Sequence, residues 1–304
     1  MKIGLALGSG SARGFSHIGI IEVFQEKGIP IDVVAGTSIG AIVGASFAAG
    51  NLKKLHREAM NINKLNWTGF FNPSFSLDGW INKERMQLFL VRSGIYRKKL
   101  IEDLNIPFGT VTCDIATGKE VWCTKGSLFD AVWPSMAMPG VFPPVASGDG
   151  RWFIDGGIVN PVPVSLCRAL GADFVIAVNL NADILRNRTE EIQQHTKHKE
   201  RKPKEILLER FYSRAKNMLP FNKKEEEEVA PPDFFDTVSQ SINIAQDRIT
   251  KTRLAGDPPE IILAPKLSHI GLLETYRAKE TIEEGRRTAL AALPYIQDML
   301  ANRI

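Results

Sequence analysis

Cysteine is scarce in this chain: three in 304 residues, Cys113, Cys123 and Cys167, an odd number with no Cys-x-x-Cys spacing. That excludes a disulfide framework and a zinc ribbon, and it fits a reducing cytoplasm. Aromatic residues are only 8% of the total, and neither sign of charge dominates, with 38 Lys and Arg against 34 Asp and Glu. The net charge of +4 is too slight for a nucleic-acid partner, yet it is compatible with peripheral contact with an anionic membrane. The first apolar run is too short for a signal-peptide core. One uncharged window has membrane-spanning length, Val33 to Leu52, and it contains Gly40-x-x-x-Gly44. The segment Gly36-Thr37-Ser38-Ile39-Gly40 breaks it near its start. What remains is ordinary globular composition, 44% hydrophobic and 24% charged, in a chain long enough to bury a core without staples.

The first half alternates strand and helix patterns. Lys2 to Leu7 is β-like and stops at Gly8-Ser9-Gly10-Ser11. Phe15 to Lys27 carries Ile18, Ile21 and Phe24 on one helical face and ends at Gly28. Ile31 to Thr37 is a second strand, and Ile39 to Ala49 a helix rich in Ala and Gly. This order implies an α/β fold with a parallel strand pair. Phe108 to Ile115 and Glu120 to Thr124 read as a hairpin. Trp152 to Ile154 is a short strand running into Asp155, Val164 to Leu170 a helix, Asp173 to Leu180 a buried strand and Glu260 to Ala264 a late one. Leu272 to Ile304 is mostly helical, with Gly285 and Pro294 as interruptions. The whole, 1–304, is expected to be one α/β domain with its core at 2–181, a charged insertion at 186–236 and a C-terminal strand and helices at 258–304.

The insertion stands out by composition. Between Arg186 and Lys224 there are 12 Lys or Arg against 5 Glu. Such a stretch cannot bury a core of its own and reads as mobile. Within it, Glu205 to Leu219 carries an apolar stripe, Leu207, Leu208, Phe211, Ala215, Met218 and Leu219, with Arg210, Arg214 and Lys216 off it. That pattern suits a helix on an anionic membrane surface as well as one packed on the core.

Three short motifs carry chemistry. Gly36-Thr37-Ser38-Ile39-Gly40 is a G-x-S-x-G sequence between a strand and a helix. There a serine sits on a tight turn, flanked by small residues, with its hydroxyl beside the positive end of the next helix, the posture of a nucleophile. Gly8 to Gly14 follows the first strand with exposed N–H groups suited to an anion. It departs from the dinucleotide fingerprint, since Arg13 stands where the third glycine belongs, and it lacks the Lys-Ser/Thr of a phosphate-binding loop. An oxyanion hole built on the loop's N–H groups competes with a plain turn and a nucleotide-binding regulatory module. Asp155-Gly156-Gly157 at a strand end can approach another loop and take a proton from Ser38. No histidine stands in a recognisable context. His17 reads as packed, His56 lies on a charged helix, His195 and His198 fall in the insertion, and His269 precedes a turn. A dyad of serine and aspartate is therefore open, and an unperturbed aspartate near pH ~3.9 would keep it active below the ~6.5 of a histidine base.

Taken together, Ser9-Gly10-Ser11-Ala12-Arg13-Gly14, Gly36-Thr37-Ser38-Ile39-Gly40 and Asp155-Gly156-Gly157 resemble the patatin-like phospholipases. With Phe15-Ser16-His17-Ile18-Gly19, they are most similar to the bacterial branch related to neuropathy target esterase. The resemblance implies a three-layer α/β/α fold with a mostly parallel central sheet. It implies a serine esterase acting on phospholipid, lysophospholipid or other acyl esters. Ser38 would be the nucleophile, Asp155 its only partner, and the backbone N–H groups of Gly10, Ser11 and Ile39 the oxyanion hole, with Ser9 and Arg13 as further candidates. Gly14, Gly36, Gly40, Gly156 and Gly157 would be the motif glycines. No metal and no cofactor are implied. The chain departs from the commoner glycine-rich loop by carrying Ser9 and Ser11. A catalytically inactive, membrane-associated interaction protein is the remaining alternative.

Overall fold

The computed structural model describes residues 1–70, 81–183 and 234–302, with the backbone alone at 234–236. In chain order the elements are β1 (Ile3–Leu7), α1 (Ser16–Glu26), β2 (Val33–Thr37), α2 (Ile39–Ala48), α3 (Leu52–Met60), α4 (Lys64–Trp67) and α5 (Lys83–Arg92). There follow β3 (Phe108–Asp114), β4 (Glu120–Cys123), α6 (Leu128–Ser135), β5 (Val145–Ala146), β6 (Trp152–Asp155), α7 (Val164–Ala169) and β7 (Phe174–Val178). The last are α8 (Phe234–Gly256), β8 (Ile261–Leu263) and α9 (Ala278–Ala301).

The sheet runs β5-β6-β3-β2-β1-β7-β8, with β4 also paired to β3. The pairs from β3 through β2, β1 and β7 to β8 are parallel. β4 and β6 run antiparallel to β3, and β5 to β6. Every residue of β1, β2 and β7 is buried, as parallel strands covered on both faces require. Their side chains divide by the two-residue period of a strand. Leu5, Leu7, Val34, Phe174, Ile176 and Val178 face the larger core, shared with α1, α2, α3, α5 and α9. Ala6, Val33, Ala35, Val175 and Ala177 face a smaller one, closed by α7 and Leu254 of α8. The large residues thus lie under the helix-rich layer.

The uncharged window Val33 to Leu52 is used up by β2 and α2 inside this core. Among the described residues no helix is long and apolar enough to cross a membrane. Two expectations need correction. Gly285 and Pro294 do not interrupt the last helix, which continues through both. A Cβ at Gly285 would sit 2.9 Å from Ser16 Cα, and one at Gly19 2.8 Å from Arg286 N, so these glycines let α1 and α9 cross closely. That packing outweighs the cost of Pro294. The second correction concerns α8. It starts at Phe234, inside the stretch assigned to the charged insertion, and occupies a segment for which no helix was expected. Apart from its last three residues, that insertion lies outside the described residues, as does the stripe from Glu205 to Leu219.

Candidate active site

Loops at the carboxyl ends of adjacent parallel strands are where α/β sheets bind ligands. Here β1 feeds Gly8–Gly14 and β2 feeds Ser38, with Leu7 in register with Gly36. Ser38 is the N-cap residue of α2 and has φ 58, ψ −122, a conformation an L-residue adopts only under constraint. The constraint is packing. A Cβ at Gly36 would fall 2.6 Å from Ala41 N, and one at Gly40 2.9 Å from Gly8 O. The Ser38 N–H donates to Ser135 Oγ at 3.0 Å, and that hydroxyl donates to Val111 O at 2.6 Å. Ser135, at the end of α6, is thus a brace for the turn that no motif pointed to.

The approach of Ser38 to Asp155 follows from β3. Thr37 pairs with Val111, and Asp155 pairs with the next residue, Thr112. β4 takes the opposite edge, pairing with Thr112 through Val121. β2 is parallel to β3 and β6 antiparallel, so the two strands meet end to end on one edge of β3, carboxyl end against carboxyl end. Ser38 and Asp155 are the residues at that junction. The Ser38 hydroxyl donates to Asp155 Oδ2 at 2.5 Å, and the Gly157 N–H donates to Asp155 Oδ1 at 2.7 Å.

Asp155 is 2% exposed. Burial pushes its carboxyl up to about 6, against the opposing effect of its bonds from Ser38 and Gly157. The expectation of an unperturbed aspartate is therefore corrected: this one titrates close to where a histidine would. Among the described residues no histidine bonds to Ser38 or Asp155. His17 is fully buried, with Nε2 2.8 Å from Gly8 O, and burial lowers it to about 4, so it is neutral. His56 is bonded to Glu22 and His269 to Glu280; His195 and His198 lie outside the described residues.

The glycine loop forms a short 3-10 turn, Ser11–Phe15. Arg13 is 3% exposed, and it holds Gly10 O twice, through its backbone N–H at 3.2 Å and its Nε at 3.1 Å. A trans peptide points its N–H opposite to its C=O, so fixing Gly10 O fixes the direction of the Ser11 N–H. Among the described residues no acceptor meets the N–H groups of Gly10, Ser11 or Ile39, whereas Ala12 N donates to Leu272 O. The motif glycines crowd their neighbours: a Cβ at Gly14 would overlap the Ile39 side chain, and one at Gly156 would sit 2.9 Å from the Val111 side chain. Ser11 has φ 53. A glycine there should relieve strain, so Ser11→Gly is expected to raise stability by about 0.5–1 kcal/mol. Ester turnover should stay within a few-fold, since the backbone donors are unchanged; thermal melts and a turnover assay check both.

A cavity of about 100 Å³ is lined by Ser11 and Ser38 together with Phe15, Ile42, Ile62, Phe89, Met138 and Leu272. None of its described lining residues is charged. No group of acidic, His or Cys side chains among the described residues is arranged to hold a metal ion.

A strained serine on a strand-to-helix turn, bonded to a strand-end aspartate beside a glycine loop and an apolar cavity, defines a lipid-hydrolase class of α/β protein. The family profile of the patatin-like phospholipases matches residues 5–168, and the chain belongs to that family. It is 32% identical to an uncharacterised NTE family protein of Mycobacterium bovis, over 96% of this chain and 91% of that one. Patatin-like phospholipase domain-containing protein 6 of Mus musculus is 34% identical over 183 residues, which is 59% of this chain and 14% of that protein. Neuropathy target esterase sws of Drosophila melanogaster is 36% identical over 185 residues, 60% of this chain and 13% of that protein. Membership of the family supports lipid acyl hydrolysis in general.

Proposed function

We propose that this protein is a carboxylic ester hydrolase that cleaves lipid acyl esters through Ser38 and Asp155. The observation that carries this reading is the 2.5 Å contact from Ser38 Oγ to Asp155 Oδ2, with Ser38 also lining the apolar cavity. Asp155 accepts the serine proton as Ser38 Oγ bonds to the acyl carbonyl carbon. The carbonyl oxygen becomes negative and is met by the N–H groups of Gly10, Ser11 and Ile39, which have no acceptor among the described residues, with the N-terminal end of α2 behind it. The alcohol leaves with the proton from Asp155. Water then attacks the acyl-enzyme and Asp155 takes its proton; the bond from the acyl carbon to Ser38 Oγ breaks, Oγ takes the proton back from Asp155, and the acid is released. Asp155 is neutral after each proton uptake and anionic again after each release, so one carboxylate serves as base and then as acid. The roles of Ser9 and Arg13 are to shape the loop, Arg13 by holding Gly10 O.

The apolar cavity is read as the place of the acyl chain, because none of its described lining residues is a cation that could hold a phosphate and Ser38 is among them. Ile42 lies one helical turn beyond Ser38 in α2 and lines it. Ile42→Phe is expected to lower kcat/KM on decanoyl esters roughly 10-fold more than on acetyl esters, the scale of excluding a methylene or two from an apolar pocket. Comparable losses on both esters would place the acyl chain elsewhere. The direct test of the function is hydrolysis of a p-nitrophenyl ester and of a lysophospholipid, with labelling of Ser38 by a fluorophosphonate. No labelling and no turnover would overturn it.

A further inference from the structure

Helix α8 lies wholly outside the residues matched by the family profile, yet it touches both loops of the candidate site. It buries a stripe of polar side chains, Ser239, Asn243, Gln246, Asp247 and Thr250. A buried polar face needs partners, and these partners are unusual in what they belong to. Asn243 Oδ1 accepts from Arg13 at 3.4 Å. Gln246 Oε1 accepts from Ser9 Oγ at 3.3 Å and from Asn181 Nδ2 at 3.0 Å. The other end of the same amide reaches the aspartate turn. A Cβ at Gly157 would fall 2.5 Å from Gln246 Nε2 and 3.0 Å from Asp155 Oδ1. Gly157 is the residue whose N–H holds the Asp155 carboxylate. Farther along α8, Arg253 pairs with Glu120 at 2.5 Å. Glu120 accepts from Asn160 Nδ2 at 2.7 Å, and Asn160 O accepts from Thr37, the residue before Ser38.

We propose that Gln246 is a positioning residue for the hydrolysis proposed above, holding the Ser9–Gly10–Ser11 loop and the Asp155–Gly157 turn at a fixed separation through its one amide. It touches neither the substrate cavity nor Ser38. Its oxygen sets the loop that carries the N–H donors, and its nitrogen occupies the space beside the second glycine of Asp155-Gly156-Gly157. This also accounts for glycine at 157: Gln246 has taken the volume of a Cβ. The inference rests on the hydrolase reading of Ser38 and Asp155.

The test is a mutant cycle on the full chain. Gln246→Met preserves side-chain length and removes both polar ends. It should lower kcat roughly 10–100-fold, the cost of a small misplacement in a reacting site, with little change in KM. The rate of fluorophosphonate labelling at Ser38 should fall by a similar factor. Ser9→Ala removes one bond and no volume and should give a smaller loss of the same kind. Gly157→Ala alone should be more damaging than Gly157→Ala combined with Gln246→Ala, because the shortened side chain vacates the space the new methyl needs. A structural role alone would make kcat follow the melting temperature. The inference is overturned if folded Gln246→Met and Ser9→Ala turn over and label at the wild-type rate. It is overturned equally if the double variant shows the product of the single losses. Failure of the wild-type chain to label at Ser38 would overturn the hydrolase reading as well, and separates the two failures.

Discussion

Ser38→Ala should lower ester turnover by on the order of 10⁶, the scale seen when a serine nucleophile is removed. The fold should survive, because the hydroxyl is partly exposed and alanine fills the same turn. A second inactive variant sharpens the result. Ser38 has φ 58 and ψ −122, and an alanine must bear the same backbone. Glycine need not, so Ser38→Gly should be equally inactive and more stable than Ser38→Ala by about 1–3 kcal/mol, less what glycine gains in the unfolded chain. Denaturant unfolding of the two variants side by side reads that difference. Turnover by purified Ser38→Ala within tenfold of the parent would remove Ser38 from the mechanism. Equal stability of the alanine and glycine variants would show that the strain of the turn is no larger than what glycine gains in the unfolded chain.

Asp155→Asn should also abolish hydrolysis, by several orders of magnitude, since an amide cannot take the proton. It should stabilise the protein at neutral pH. Burial raises the Asp155 carboxyl from 3.8 to about 6, so the folded chain binds a proton there more tightly than the unfolded chain. The stabilising effect of that proton is complete below the unfolded value and is lost as pH rises through about 6. Above that pH the ionised carboxylate costs about 3 kcal/mol, at about 1.36 kcal/mol per tenfold change in proton affinity. Asparagine carries no such cost. The Tm of Asp155→Asn should therefore exceed the parent's by several degrees at pH 7, and the gap should close toward pH 4. Activity runs the other way: kcat/KM should fall as pH drops through about 6, because the base is then protonated. A gap in Tm that widens on acidification would reverse the assignment of a raised carboxyl. Retained activity in Asp155→Asn would exclude Asp155 as the base.

Most of the sheet could be read from the sequence because buried parallel strands advertise themselves. Ile3–Leu7, Val33–Thr37 and Phe174–Val178 are short apolar runs stopped by glycine or polar residues, and all three stand close to where they were expected. The elbow was equally legible, since Gly36 and Gly40 leave no room for a side chain. Ser135, Gln246 and Asn243 were not. Each acts at long sequence separation, 97 residues from Ser38 in the case of Ser135, and a lone Ser, Gln or Asn has no local pattern. Helix α8 escaped for a related reason. Its buried face is polar at Ser239, Asn243, Gln246, Asp247 and Thr250, and the apolar series Val238, Ile242 and Ile249 beside it is only half-buried. The titration of Asp155 was misjudged because burial belongs to the fold and not to the residue.

The end-to-end meeting of β2 and β6 makes β3 a ruler for the candidate site. Val111 and Thr112 are neighbours on it, and the spacing of Ser38 from Asp155 is one step of that ruler. A slip of β6 by two residues keeps its faces inward but moves Asp155 roughly 6.5 Å along the edge, out of hydrogen-bonding reach. The same arrangement has a kinetic side. Ser38 and Asp155 are separated by 117 residues, and their contact exists only once strands from three parts of the chain have settled on one edge. Long-range pairing of this kind is completed late in folding. During refolding, hydrolysis should return after the bulk of the helical signal has recovered, so the enzyme's own turnover reports the closing of the sheet.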